Sequence, residues 1–193
     1  MVGQVANTLS DLSSHGDFWP TGLPRHGDLF GKFLAIYPQI GATVVRRAVL
    51  ESVGFFDEAL TYDQDWDWHL RMALRHQVGF VEQPCVLFRQ RPTGENDDLQ
   101  WSRLAFTRHV FFNNVRRGGW RRSPPPWSLA RIYVRKFGRY YSYFAQSANV
   151  HARQNDRQAA RRAVLRAFAA SPLHWLRDLT RAEPLRPALK AIV

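Results

Sequence analysis

The stretch 61–71, TYDQDWDWHLR, places Asp63, Asp65 and Asp67 at every second position among Tyr62, Trp66 and Trp68, and closes on Arg71. Carboxylates this near repel one another as they ionise, so crowding them needs a reason. Either the segment is a surface helix that begins acidic, or it is one wall of a site. Each residue also has a structural reading. An Asp at a helix start serves as an N-cap. Trp66 falls on the apolar stripe of the helix and reads as core. Asp67 and Arg71 stand four apart in the favourable acid-before-base order, a surface ion pair worth a few tenths of a kcal/mol.

Other chemistry-bearing residues are sparse. The seven histidines are scattered, and no pair among them has metal-ligand spacing. Cys85 is the single cysteine, so neither an internal disulfide nor a cysteine zinc site can be assembled within one chain. No glycine-rich dinucleotide fingerprint, phosphate-binding loop or serine nucleophile elbow occurs.

The elements that must position 61–71 follow from periodicity. Ser10–Gly31 is rich in Gly, Pro, His and Asp and reads as loop, with a brief helix near Leu29–Leu34. QIGATVV carries the β-branched run Thr43-Val44-Val45, which predicts a short buried strand. RRAVLESVG predicts one or two helical turns with Ala48, Val49 and Val53 inward and Gly54 as the stop. Trp66, Leu70, Ala73 and Leu74 recur at three- and four-residue spacing, which predicts a helix from Asp63–Asp65 to about His76, ended by Gly79. FVEQPCVLFRQ then reads as strand broken by Pro84. Beyond TGENDD the character changes: LQWSRLAFTRHVFFNNVRR is helical, GGWRRSPPP is a linker, and two further helices meet at Gln154-Asn155 as a helical hairpin. Phe144, Ala148, Ala160, Ala167 and Pro172 fall at spacings resembling one tetratricopeptide repeat.

With 193 residues, 45% hydrophobic and 13% aromatic, the chain can bury a core and a helical appendage. Its net charge of +11 is divided unevenly. Residues 1–100 carry 8 Lys and Arg against 13 Asp and Glu, whereas 101–193 carry 19 against 3. The basic half can attract nucleic acid, anionic lipid or an acidic partner, and charge alone does not choose among them. The N-terminus lacks the basic start and apolar stretch of a signal peptide, and no apolar run is long enough to span a bilayer, so the expected location is cytoplasmic, and any membrane contact would be peripheral, at the inner face.

From Pro38 to Pro92 several motifs occur in order: Arg46-Arg47 before a short helix, Gly54-Phe55-Phe56-Asp57-Glu58 at a turn, Gln64-Asp65-Trp66-Asp67-Trp68-His69-Leu70-Arg71 on a helix, and Phe88-Arg89-Gln90-Arg91-Pro92 closing a strand. This series resembles the acceptor-side half of family 2 glycosyltransferases, which have the Rossmann-like GT-A fold. The resemblance implies that Asp65 is the general base that deprotonates an acceptor hydroxyl, a role suited to the positive end of a helix dipole. It implies substrate-binding positions at Gln64, Trp66, Trp68, Arg71, Arg89 and Arg91, with the tryptophans against sugar faces. It also implies single-displacement, inverting transfer from a nucleotide-diphosphate sugar to a hydroxyl, in polysaccharide or glycan synthesis. The family uses Mg²⁺ or Mn²⁺, held by an upstream Asp-X-Asp that has no counterpart here; Gln64 replaces the usual Glu and Arg91 the usual His, so no metal ligand is assigned.

The expected fold class is therefore α/β: a partial GT-A catalytic half over 1–97, then a basic α-helical region over 98–193. The resemblance covers the second half of a catalytic domain, so the donor-binding half is expected on a missing N-terminal segment or a partner chain, and the chain alone is expected to be inactive. The rival is a non-catalytic interaction module that docks a partner protein or an anionic membrane surface through its basic helices. Aromatic residues among arginines can also grip single-stranded nucleic acid. At helical spacing such aromatics are more often core, which ranks nucleic acid below lipid.

Overall fold

Val2, Gln4, Val5 and Ala6 are all buried, so the strand they form, β1 (Val2–Thr8), is covered on both faces and shows no alternation in its sequence. A computed structural model of the chain describes residues 1–8, 15–89 and 96–181. Among these, β1 is central in a four-stranded mixed sheet that also contains β2 (His15–Trp19), β3 (His26–Gly27) and β4 (Val78–Arg89), in the order β2-β1-β4-β3. β1 runs antiparallel to β2 and parallel to β4, and β3 is antiparallel to β4. Two of these strands lie inside Ser10–Gly31, where loop was expected; the brief helix expected there is α1 (Phe30–Ala35).

Pro84 does not break β4. The β1–β4 register jumps from Gly3↔Val81 to Gln4↔Pro84 and then to Val5↔Val86. Extra residues on β4 thus absorb the proline, which lies where β3 no longer pairs. The β-branched run 43–45 is not a strand. Ile40–Ala42 forms a 3₁₀ turn, and the run meets the sheet only as an isolated bridge at the start of β1, Thr43 opposite Val2 with Val44 exchanging two backbone hydrogen bonds with Met1.

Helix α2 (Arg47–Val53) ends at Gly54, whose φ of 81° suits glycine. Helix α3 (Gln64–Arg75) follows the expected stripe, with Trp66, Leu70 and Ala73 buried, and stops at the extended His76; Gly79 belongs to β4. Helix α4 (Asp97–Arg122) runs through the expected linker. It bends at Gly119 (φ 56°, ψ −167°) and regains helical form, so only 123–125 connect it to α5 (Pro126–Arg153). A two-residue turn then leads to α6 (Arg157–Ala170), and α7 (Pro172–Arg181) follows.

The chain is mixed α/β and divides into two compact units. Met1–Gly94 with Phe106–Pro125 forms one; Glu95–Ala105 with Pro126–Val193 forms the other, so α4 contributes to both. The first unit packs Leu29, Phe30, Phe33 and Leu34 with Trp66, Leu70, Val110 and Phe111 as buried side chains. In the second, Ala159, Ala160, Ala163 and Ala167 line the buried face of α6, where small side chains let it lie close against Phe137, Tyr141, Phe144 and Ala148 of α5. No helix among the described residues is long and apolar enough to cross a membrane.

Candidate functional site

The acidic stretch resolves into three carboxylates with three different sets of neighbours. Asp63 precedes α3 in left-handed conformation (φ 62°), and its carbonyl accepts the Asp67 amide at 2.9 Å. Its Oδ2 accepts from the Thr107 hydroxyl of α4 at 2.5 Å. Asp67 is buried and accepts three charged or amide donors: Arg71 Nε at 2.7 Å on Oδ2, and Asn114 Nδ2 at 2.7 Å and Arg117 Nη1 at 2.8 Å on Oδ1. Two guanidiniums and an amide replace the water this carboxylate loses on burial, which is why the folded chain can hold it there.

Asp65 is different. It lies in the first turn of α3 and is half-buried; its Oδ1 accepts from the Tyr37 hydroxyl and, at 2.9 Å, from the Trp66 amide. Among the described residues nothing hydrogen-bonds to its second oxygen. Repulsion along the stretch is therefore relieved by dispersing the three carboxylates onto separate partners.

Aromatic residues build the wall behind Asp65. Tyr37 stacks on Trp66 with centroids 6.1 Å apart and on Trp19 at 6.5 Å. Trp66 is fully buried and donates Nε1–H to Phe33 O at 2.7 Å. Trp68 is buried too, donating to Gly54 O at 2.8 Å and meeting Phe56 edge-on. Both indoles thus tie α3 to neighbouring backbone. Arg71 does the same: beyond Asp67, it donates to Val53 O and Phe55 O, each at 2.7 Å, and so holds the turn after α2. Gln64 is half-buried and donates to Thr61 O at 3.1 Å. Arg46 and Arg47 are exposed. The side chain of Arg89 and all of Arg91 lie outside the described residues.

One turn after Asp65, His69 is fully buried. Its Nδ1 lies 2.6 Å from Asp65 O, which can only accept, so Nδ1 carries the proton. Nε2 then accepts from the Thr43 hydroxyl at 2.9 Å. Burial pushes the imidazole down to about 4, so the ring is neutral near pH 7. This network fixes the Asp65 backbone against the 3₁₀ turn.

The acidic stretch does not fit a divalent cation. Asp67 already faces two guanidiniums, and Asp63 is engaged by Thr107. Among the described residues no group of three or more His, Cys, Asp and Glu side chains could hold a metal ion.

Sequence reasoning did not find Tyr37, Trp19, Thr107, Asn114 or Arg117. A lone Tyr in a loop carries no signal, and Asn114 and Arg117, three apart, show that they share a helix face but not which carboxylate that face meets. Comparisons with protein-family models, curated proteins and solved structures return no match.

Proposed function

We propose that the first unit is the acceptor-side half of a GT-A glycosyltransferase of the family 2 type, which moves a sugar from a nucleotide-diphosphate donor to an acceptor hydroxyl in polysaccharide or glycan synthesis. What supports this reading is Asp65: of the three crowded carboxylates, it alone is half-buried in the first helical turn with one oxygen anchored and the other open. That is the geometry of a general base, held in place yet able to take a proton. In the proposed step Asp65 removes the hydroxyl proton as that oxygen attacks the anomeric carbon. The bond from that carbon to the diphosphate breaks, and the configuration inverts.

On this reading Tyr37 orients Asp65, while Trp66, Trp68 and Arg71 are positioning residues that lock α3. Gln64 stands beside the base, and Arg46, Arg47, Arg89 and Arg91 supply cationic anchorage for donor or acceptor. A donor diphosphate, with its Mg²⁺ or Mn²⁺, would be held by a donor-binding half on another segment or a partner chain. Two phosphate charges need fixed donors, and the three Asp side chains of 61–71 cannot supply them.

The test has two arms. UDP-, GDP- and dTDP-sugars with Mn²⁺ or Mg²⁺ are titrated calorimetrically against the chain and Asp65→Asn, with release of nucleoside diphosphate followed in parallel. Mono- and disaccharide acceptors are titrated by ¹H–¹⁵N NMR. Acceptor-induced shifts clustered at Gln64–Trp66 and the Trp19 indole sustain the reading. Acceptor sugars that shift nothing there would sink it, and donor binding or hydrolysis by the chain alone would overturn the assignment of the donor site to another half.

A further inference from the structure

The second unit presents an apolar face that nothing among its described residues covers. On α6, positions 157, 161, 165 and 168 fall on one stripe about 16 Å long. Arg157 and Arg161 occupy its first half and Leu165 and Phe168 its second. On α7, positions 173, 176 and 177 form another, of Leu173, Leu176 and Arg177. Leu165 is 66% exposed, Leu173 62%, Leu176 54% and Phe168 44%. Trp175 joins the two stripes, its ring meeting Phe168 edge-on at 5.1 Å. The opposite sides of both helices are engaged internally: the α6 alanines pack on α5, and Asp178 of α7 accepts from the buried Tyr141 hydroxyl at 2.6 Å.

Basic residues outnumber acidic ones around this face, with Asp97 and Asp98 of α4 paired to His151 and Arg166. Residues 126–181 carry eleven Lys and Arg against two Asp. Asp178 is buried beneath α7, where it also accepts from Arg177 Nε at 3.1 Å, and Asp156 caps α6 by accepting the Ala159 amide at 2.9 Å.

We propose that the α6–α7 face is a docking surface for an anionic lipid membrane, with Leu165, Phe168, Leu173 and Leu176 entering the headgroup–acyl boundary and Arg157, Arg161 and Arg177 meeting lipid phosphates. Aliphatic and aromatic side chains flanked by arginines on short surface helices are the pattern of interfacial helices, which lie in the plane of the bilayer and do not cross it. Four exposed apolar side chains add burial to an attraction that each surface arginine strengthens. Nucleic acid fits less well, since three of the four are leucines without a ring to stack on a base. The inference does not depend on the proposed glycosyl transfer.

Flotation of the full chain with vesicles of phosphatidylcholine alone, or with 30% phosphatidylglycerol, tests it at 50 and 500 mM NaCl. Binding to the anionic vesicles is expected to exceed that to neutral ones by about tenfold or more and to fall at high salt. Leu165→Asp/Leu176→Asp and Arg157→Glu/Arg161→Glu should each lose about tenfold or more while keeping the wild-type circular dichroism spectrum. Because the arginine variant changes no apolar residue, it carries the test if the leucine variant unfolds. Absence of binding, equal binding to neutral vesicles, or binding that both variants retain would overturn the assignment. So would single-stranded RNA binding lost in the arginine variant but kept in the leucine one, with no vesicle binding, which would assign the face to nucleic acid.

Discussion

Asp65 and Asp67 stand two residues apart on one helix and answer to different physics. Asp67 is buried between Arg71, Asn114 and Arg117, so Asp67→Asn removes the charge that two guanidiniums face and should cost about 3 kcal/mol, read as a lower urea midpoint. Asp65 is half-buried with an open oxygen, so Asp65→Asn should change stability by less than about 1 kcal/mol while lowering any glycosyl transfer by about 10² or more. Equal destabilisation by the two variants would refute this division of labour. His69 adds a pH dependence. Its folded value of about 4 lies below the unfolded 6.5, so the unfolded chain takes up the proton first as pH falls. The stability present above pH 6.5 is then lost progressively down to about pH 4, by up to about 3 kcal/mol. Urea titrations across that window should show a slope that His69→Gln flattens. Of these residues the sequence exposed Asp65, Asp67 and Arg71, because helical spacing is local. It left Tyr37 and Asn114 unmarked and gave Thr43 only a strand reading, because their roles come from contacts 26 to 47 positions away in the chain.

At the scale of elements, Gly119 and the α6 alanines make opposite demands. Gly119 bends α4 with a positive φ, so Gly119→Ala should destabilise by about 1 kcal/mol or more through backbone strain, detectable as a lower thermal midpoint. Ala163 is fully buried against α5, so Ala163→Leu should cost about 1–3 kcal/mol by overpacking. A neutral result would mean that α5 and α6 are loosely joined. Helices α3, α5 and α6 were legible because their apolar periods lie within the segment that folds; α2 was placed by its Gly54 stop, but of Ala48, Val49 and Val53, expected inward, only Val53 is buried. The sheet was not. β1 lacks alternation because both its faces are covered, and β2 and β3 sit in Gly- and Pro-rich sequence where only a partner strand makes extended backbone favourable. Thr43-Val44-Val45 failed in the other direction: the run makes a single bridge to Val2 rather than a strand, and Val44 is 75% exposed.

Across the whole molecule, helix α4 matters to both units. Its residues Thr107, Asn114 and Arg117 engage Asp63 and Asp67 in the first. Its residues Asp97 and Asp98 accept from Ser147 at 2.7 Å and Arg166 at 2.6 Å in the second. A fragment 1–97 would strand Asp67 with Arg71 as its remaining partner, whereas 1–125 keeps all three donors. The shorter fragment is expected to show no cooperative urea transition and the longer one to show it; identical behaviour would refute the role of α4 in the first unit. The sequence by itself determined the helical register, the reversal of charge near residue 100 and the placing of Asp65 at a helix start, because each follows from composition or from spacing within a few turns. Only the tertiary structure decided which of the three carboxylates stays open, since that depends on donors brought from α4 and from Tyr37 by chain folding. It likewise decided which apolar residues of α6 and α7 face solvent, since periodicity marks a stripe but not what covers it.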